Sequence, residues 1–340
     1  MVEYKTYIYL VMKMAEKNEK TEKDDKKKKY YRELEDLPGI GDASAEKLRK
    51  AGYSDFKTIA AASPHELAEA AEIGVENAKK AIAGAKETVE IGFETADLIL
   101  ERRKSIGKIK TSSEALDELL GGGVETQAIT EAYGKFSSGK TQLGFQLAVN
   151  VQKPLEQGGL GGKVLFIDSE ATFRPERIAQ IAMAAGLNTE EVLKNIFVAR
   201  AEDSAHQMIL VEKAAETIQQ NNIRLIIVDS LTSHFRADFL GRGSLSDRQQ
   251  KLNKHVHDLQ KLSEKYNLAV YIANQVMDNP GIMFGDPTTP IGGHVLAHVS
   301  TYRIYLRKSK EEKRIARLVD SPNLPEGECV FKVTKDGLAD

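Results

Sequence analysis

Hydrophobic and polar positions follow two different rules along this chain. Residues 34–90 carry a compact helical pattern broken by turn residues. "DLPGIGDASAEKLRKAG" (36–52) predicts a helix, a glycine-rich turn and a second helix. "SPHELAEAA" (63–71) opens another helix, with Ser63 as its cap and Pro64 in its first turn. "EIGVENAKKAIAGAKETV" (72–89) repeats the design, so the segment is expected to form one small five-helix domain. From about residue 111 the pattern changes to short, continuous apolar runs that alternate with amphipathic helices. The runs are "AITEAY" (128–133), "KVLFID" (163–168), "NIFVAR" (195–200), "IRLIIVD" (223–229) and "LAVYIANQ" (268–275). Continuous apolar strands between helices predict a mainly parallel sheet with helices on both faces. "STYRIYLR" (300–307), "KRIARLV" (313–319) and "CVFKVT" (329–334) follow each other with short turns and predict an antiparallel extension.

The expected organisation is therefore α/β, with a small all-α domain in front. Residues 1–33 form a charged tail, 34–90 the helical domain, 91–110 a linker and 111–340 the α/β core. Residues 15–30, "EKNEKTEKDDKKKKYY", are almost all charged and predict a disordered, solvated segment. The run "TYIYLVMKM" (6–14) is too short for a secretory signal, and Met12 or Met14 could equally serve as the start.

Composition narrows the chemistry. The 340 residues suffice for two domains, and a net charge of −2 excludes a globally basic nucleic-acid binder. Any such contact must come from local clusters. One cysteine, Cys329, excludes a disulfide framework and points to a reducing, cytoplasmic compartment. No apolar run approaches the ~18 residues of a membrane span.

One stretch carries a complete chemical signature. Gly134 to Thr141, "GKFSSGKT", fits G-x-x-x-x-G-K-[ST] and lies between an apolar strand and an amphipathic helix. Backbone N–H groups of Gly134, Lys135, Phe136, Ser137, Ser138 and Gly139 would wrap phosphates, helped by the helix N-terminus. Lys140 would neutralise the β- and γ-phosphates of a nucleotide, and Thr141 would bind Mg²⁺. About ninety residues on, "LIIVDS" (225–230) supplies a strand ending in Asp229, expected to hold the Mg²⁺ shell. "FIDSEATFRPERI" (166–178) ends another strand with Glu170 at its edge. Glu170 reads either as the general base for water or as a surface residue capping the next helix.

Together, "RRKSIGKIKTSSEALDELLGGGVETQAITE", "FIDSEATFRPERI", "GRGSLSDRQQKL", "NQV", "FGDPTTPIGGHVLAH" and "RLVDSPNLPEGE" closely resemble the archaeal RadA recombinases, over about residues 34–340. These are relatives of the eukaryotic strand-exchange recombinases and of bacterial RecA. The resemblance implies a RecA-type P-loop core that hydrolyses ATP, polymerises on single-stranded DNA and exchanges strands with a homologous duplex. It implies repair of damaged DNA by recombination, a nucleoid setting, Mg²⁺ and a monovalent cation such as K⁺. Glu170 becomes the catalytic carboxylate and Arg177 lies against the adenine. Gln275 senses the γ-phosphate, with His294 in the same relay. Asp320 belongs to a segment that caps ATP on the neighbouring protomer. In "GFETAD" (92–97), Phe93 and Ala96 match an F-x-x-A element that inserts into the adjacent subunit. Phe93 taken alone reads as an ordinary core aromatic. A head-to-tail contact of this kind makes open filaments.

The chain departs from that pattern. Ser137 stands where relatives usually carry glycine, and is expected to be tolerated only if its φ stays negative. Ala171 follows Glu170 where glycine or asparagine is common, and Asn323 replaces a frequent histidine. These departures leave nucleotide binding intact and bear on the rate of hydrolysis.

Two segments carry the DNA expectation. "SHFRADFLGRGSLSDRQQKL" (233–252) reads as a loop presenting Arg236, Arg242 and Arg248 to phosphates and bases, or else as a mobile surface loop. "VMDNPGIMFGDPTTPIGG" (276–293) is a Gly/Pro-rich loop whose Met277, Met283 and Phe284 could wedge between bases, with Gly292 and Gly293 at its end. "LPGIGDASAEKL" matches a helix-hairpin-helix, where the N–H groups of Gly39, Ile40 and Gly41 are expected to face phosphates, with Lys47, Arg49 and Lys50 adding charge. Three functional classes fit: a strand-exchange ATPase, an ATP-binding paralogue or mediator without exchange, and a hexameric ring helicase. The hairpin domain and the Phe93–Ala96 element speak against the last.

Overall fold

A computed structural model of the chain describes residues 31–89, 94–239, 241–278 and 288–340. The tail through residue 30, Phe93, Met283, Phe284 and the side chain of Arg242 lie outside the described residues. The chain divides into two compact units between Ile99 and Leu100.

The first unit has five helical segments among its described residues. A 3-10 turn (Leu34–Asp36) precedes α1 (Asp42–Lys50), α2 (Phe56–Ala61), α3 (Pro64–Ala71) and α4 (Val75–Thr88). Side-chain caps set two of the starts: Asp55 accepts from the Thr58 N–H and Ser63 from the Glu66 N–H. Leu37, Leu48, Ile59, Leu67 and Ile82 close a core of their own. A further helix, α5 (Ala96–Arg103), spans the division and carries Ala96 as its first residue.

The second unit is built on a nine-stranded sheet. Its strands are β3 (Ile129–Tyr133), β4 (Lys163–Asp168), β5 (Ile196–Arg200), β6 (Ile223–Asp229), β7 (Ala269–Asn274), β10 (Tyr302–Lys308), β11 (Lys313–Asp320), β12 (Gly327–Thr334) and β13 (Gly337–Ala339). The spatial order is β13-β12-β11-β10-β3-β7-β6-β4-β5. From β10 to β5 every pairing is parallel, and from β10 to β13 every pairing is antiparallel. This is the expected α/β core with its antiparallel extension. Two short antiparallel ribbons complete the strands: β1 (Lys108–Ile109) with β2 (Val124–Glu125), and β8 (Val276–Asp278) with β9 (Thr288–Pro290).

Helices cover both faces because the central strands are apolar on both. On one face α7 (Lys140–Asn150) and α8 (Pro175–Ala184) pack Phe145, Phe166 and Tyr271 into one core. On the other, α10 (Ser204–Asn221), α12 (Leu245–Tyr266) and α13 (His294–Val299) enclose Ile226, Val256, Leu259 and Ile272. The connections α6 (Glu114–Leu119), α9 (Thr189–Lys194) and α11 (Ser233–Asp238) are each six residues. No described helix is long and apolar enough to cross a membrane.

One expectation needs correction here. Residues 233–252 do not form one long loop: Arg236 lies on α11, Arg242 opens a 3-10 turn (Arg242–Ser244), and Arg248 lies in the first turns of α12. The apolar spacing Leu252, Val256, Leu259 holds α12 on the core, so the helix begins well before its glycines and serines suggest.

Candidate nucleotide-binding and catalytic site

The parallel strands end in register. Tyr133 of β3 pairs with Asn274 of β7, and Asp168 of β4 pairs with Asp229 of β6, which in turn pairs with Ala273. The residues that follow these strand ends therefore converge at one sheet edge, the usual ligand edge of a parallel α/β sheet. A cleft of about 530 Å³ opens there. It is lined by the whole run Gly134–Gln142, by Glu170, Asp229 and Gln275 from three other strand ends, and by Arg314.

Local geometry explains why the loop needs this sequence. A Cβ on Gly134 would sit 2.2 Å from the Leu306 carbonyl oxygen, so no larger residue fits against β10. Gly139 precedes α7 with φ of 106°, a conformation that glycine adopts without steric cost. The Lys140 ammonium donates to the carbonyls of Gly134 at 2.8 Å and Lys135 at 3.0 Å, which folds it over the loop. Thr141 donates its hydroxyl to Asp229 at 2.6 Å. The Tyr271 hydroxyl, reaching up through the core, donates to the Lys140 carbonyl at 2.8 Å. Phe136 stands 97% exposed at the loop tip.

Burial works against the site's own charges. It pushes the Asp229 carboxyl up to about 6, offset in part by the Thr141 hydrogen bond, and it pulls the Lys140 ammonium down. A divalent cation beside Asp229 and phosphate beside Lys140 would restore the charged forms. Among the described residues, three that line the cleft carry a buried polar atom without a protein partner: Thr172 Oγ1, Ser230 Oγ and Arg314 Nε. Buried donors without acceptors are costly unless a ligand satisfies them. The residues present thus fit a nucleotide triphosphate with Mg²⁺.

Glu170 and Gln275 meet: the Gln275 amide donates to the Glu170 carboxylate. Asp168 shapes the turn beneath them by accepting from the N–H groups of Glu170, Thr172 and Phe173. Glu170 itself caps nothing, since α8 starts at Pro175 after an Arg174 cap with no side-chain bond.

Two of the three departures noted in the sequence sit at strained positions. Ser137 has φ of 62° and Ala171 φ of 56°. The condition set for Ser137, a backbone that does not need positive φ, is not met: the loop holds it in the left-handed region, and serine takes it at a cost.

Other anticipated residues fall elsewhere. Arg177 does not line the cleft; its guanidinium spans Gln142 on α7 at 2.8 Å and the carbonyls of Thr334 at 2.6 Å and Lys335. His294 opens α13 and stacks on His298 with ring centroids 6.0 Å apart, while Asp320 closes β11. Met277 on β8 is half exposed, Gly292 and Gly293 precede α13 with positive φ, and Arg236 is exposed. In the first unit the Ile40 N–H is not free as anticipated, because it donates to the Leu37 carbonyl at 3.0 Å. Lys47, Arg49 and Lys50 pair with Glu72, Glu35 and Glu46 at the surface, where water screens such pairs and they contribute little to stability.

Arg314 and Tyr271 are site residues the sequence did not reveal. Arg314 sits on an antiparallel strand remote in sequence, and Tyr271 reads as one more apolar position in a buried strand.

A SAM-like helix-hairpin-helix tandem model matches residues 31–87, and a Rad51 model matches residues 102–340, all but the first two residues of the cleft-bearing unit. Phosphate loop, Mg²⁺-type carboxylate and Gln275–Glu170 pair all lie within that second match, and the chain belongs to the Rad51 family, the DNA-dependent ATPases of recombination built on the RecA fold.

Proposed function

We propose that this chain is a strand-exchange recombinase of the archaeal RadA type, which polymerises on single-stranded DNA and pairs it with a homologous duplex. The Gln275–Glu170 hydrogen bond carries this reading. It joins the carboxylate beside the phosphate loop to the residue from which the β8–β9 hairpin departs. That hairpin is the stem of the second DNA-facing segment, so nucleotide state and DNA contact share one joint.

ATP is the substrate. Lys140 would neutralise its β- and γ-phosphates, with Arg314 as a further donor. Thr141 and Asp229 would hold Mg²⁺, which supplies electrostatic stabilisation of the phosphates when bound. Glu170 would orient water and take its proton at the carboxylate oxygen. Its pairing with Gln275 positions that carboxylate and would change as the γ-phosphate is lost. Arg177 would lie against the adenine, Asp320 of a neighbouring protomer would help cap the ATP, and His294 would join Gln275 in the γ-phosphate relay. Arg236, Arg242 and Arg248, with Met277, Met283, Phe284, Gly292 and Gly293, would face the single strand. Gly39 and Gly41 of the hairpin domain would touch duplex phosphates. Such contacts are sequence-tolerant and salt-sensitive.

Polymerisation is supported by a second, largely apolar groove of about 230 Å³ beside the edge strand β5, lined by Phe197, Leu210 and Ala214 among others. It suits an aromatic anchor such as Phe93 of a neighbouring copy, with Ala96 allowing close approach. The proposed division is a tail (1–33), a hairpin domain (34–90), a linker carrying this element (91–110) and the ATPase core (111–340), in a cytoplasmic, nucleoid-associated protein.

The strained Ser137 and Ala171 favour one alternative, an ATP-binding mediator that exchanges no strands. The test is strand exchange between a single strand and a homologous duplex with ATP and Mg²⁺, using a heterologous duplex and Lys140→Ala as controls. Exchange that requires both homology and Lys140 is the expected result. Filaments and DNA binding without exchange would establish the mediator.

A further inference from the structure

Beneath the cleft lies a buried polar cluster that takes no part in holding nucleotide. At its centre is Asn274, the last residue of β7 and fully buried. Its amide nitrogen donates to Glu131 Oε1 at 2.7 Å and to the Ile291 carbonyl at 2.7 Å. Its amide oxygen accepts from the Thr232 hydroxyl at 2.7 Å. Glu131, also fully buried, is held on its other oxygen by Arg303 Nε at 2.7 Å. The amide orientation is chemically forced, since the reverse would turn its oxygen towards a carboxylate and a carbonyl.

The three partners come from three different places. Glu131 lies on the central strand β3 and is fixed by the ion pair with Arg303. Thr232 is the residue before α11, the helix that carries Arg236. A threonine there ordinarily caps its helix, but this one makes no cap bond and turns its hydroxyl to Asn274. Ile291 directly follows β9, at the end of the second DNA-facing segment. Main-chain bonds reinforce the arrangement: Leu231 N–H donates to the Ala273 carbonyl at 3.0 Å, and Ile291 N–H to the Gln275 carbonyl at 3.0 Å. Residues 273–275 therefore hold both stems, and the last of them is the Gln275 that binds Glu170.

We infer that Asn274 is a positioning residue, the joint that keeps the stems of both DNA-facing segments in register with Gln275 and so couples DNA contact to the nucleotide cleft. It touches neither nucleotide nor DNA. With both amide protons and the amide oxygen of Asn274 engaged, the bonds around it specify one arrangement of the elements they join, because losing one leaves a buried polar group unpaired. The Thr232–Asn274 bond is the link to the first segment and the Ile291 bond the link to the second. The inference rests on the ATPase reading above.

The test compares Thr232→Val, which keeps volume and removes the hydroxyl, with Thr232→Ser, which restores it. Asn274→Leu is the stronger perturbation; should it fail to fold, the Thr232 pair carries the test alone. Steady-state ATP hydrolysis is measured with and without single-stranded DNA. Thr232→Val is expected to keep basal turnover and KM for ATP within about 2-fold, while stimulation by DNA falls at least about 5-fold, the low end of site-to-site coupling. Thr232→Ser should recover it. Hydrogen exchange at the Leu231 and Ile291 amides should quicken together in the valine variant. A loss of stability alone would leave the stimulation ratio unchanged. Valine and serine variants with the wild-type ratio and wild-type exchange would overturn the joint while leaving the ATPase reading standing. A wild-type protein that DNA does not stimulate would overturn both.

Discussion

Replacing Ala171 by glycine is expected to stabilise the protein. Ala171 sits in the turn after Glu170 with φ of 56°. That conformation costs a residue with a Cβ about 1–2 kcal/mol. Glycine removes the clash but adds freedom to the unfolded chain, which returns about 0.4–1 kcal/mol of the gain. The alanine side chain is exposed, so no packing is lost with its methyl group. The net gain is about 0.5–1 kcal/mol, and in a domain of this size it raises Tm by about 1–4 °C. The same arithmetic applies to Ser137, exposed in the phosphate loop with φ of 62°. Calorimetric unfolding of Ala171→Gly and Ser137→Gly, without nucleotide, measures both. Ser137→Ala keeps the Cβ and the strain, and should shift stability by less than about 0.5 kcal/mol. Gly139→Ala, at φ of 106°, should lower it. Glycine variants no more stable than the wild type, or a gain in Ser137→Ala equal to that in Ser137→Gly, would refute the account of strain.

Three further outcomes follow from single contacts. Tyr271→Phe removes the hydroxyl that holds the Lys140 carbonyl at 2.8 Å and should cost about 1 kcal/mol, read as weaker ATP affinity by titration calorimetry and a lower unfolding midpoint. Asp340 caps α6 from 226 residues away, accepting from the Ser113 hydroxyl at 2.6 Å and the Glu114 N–H at 2.9 Å. Asp340→Ala should therefore cost about 0.5–2 kcal/mol. The Ser113 hydroxyl, then the Ala115 N–H, hold that carboxyl below its ordinary 3.8, so the cap's contribution is present above this value and is lost as pH falls through the lowered pKa; urea midpoints against pH in both proteins check it. Burial first, then Lys254, lowers His255 from 6.5 to about 4. A histidine kept neutral in the fold contributes stability that is complete above 6.5 and lost as pH falls towards 4, about 3 kcal/mol in all. The unfolding free energy of His255→Asn should depend less steeply on pH across that window.

How far the sequence reveals this molecule depends on how local each determinant is. Gly134–Thr141 announces itself because phosphate binding needs glycines, a lysine and a hydroxyl within eight consecutive positions. Asp229 is legible because it ends an apolar run, and Glu170 because it follows one by two residues; parallel strands buried on both faces leave those runs unbroken. The two-residue strands β1 and β2 leave no period to detect. The start of α12 is obscured because Gly243 and Ser244 signal a loop, while the Leu252–Val256–Leu259 face that fixes the helix becomes decisive only once a core exists to receive it. Arg314 and Asn274 are harder still. An arginine on an alternating strand and an asparagine ending an apolar one are unremarkable until the sheet order puts β11 beside β10, and β7 between β3 and β6. Then one becomes a buried donor facing the phosphate loop and the other the meeting point of two loop stems. Sequence motifs mark the groups that touch phosphate, which must be close together in the chain. The groups proposed to make those contacts depend on DNA need only be close in space, and it is the parallel register of β3, β6 and β7 that brings them there.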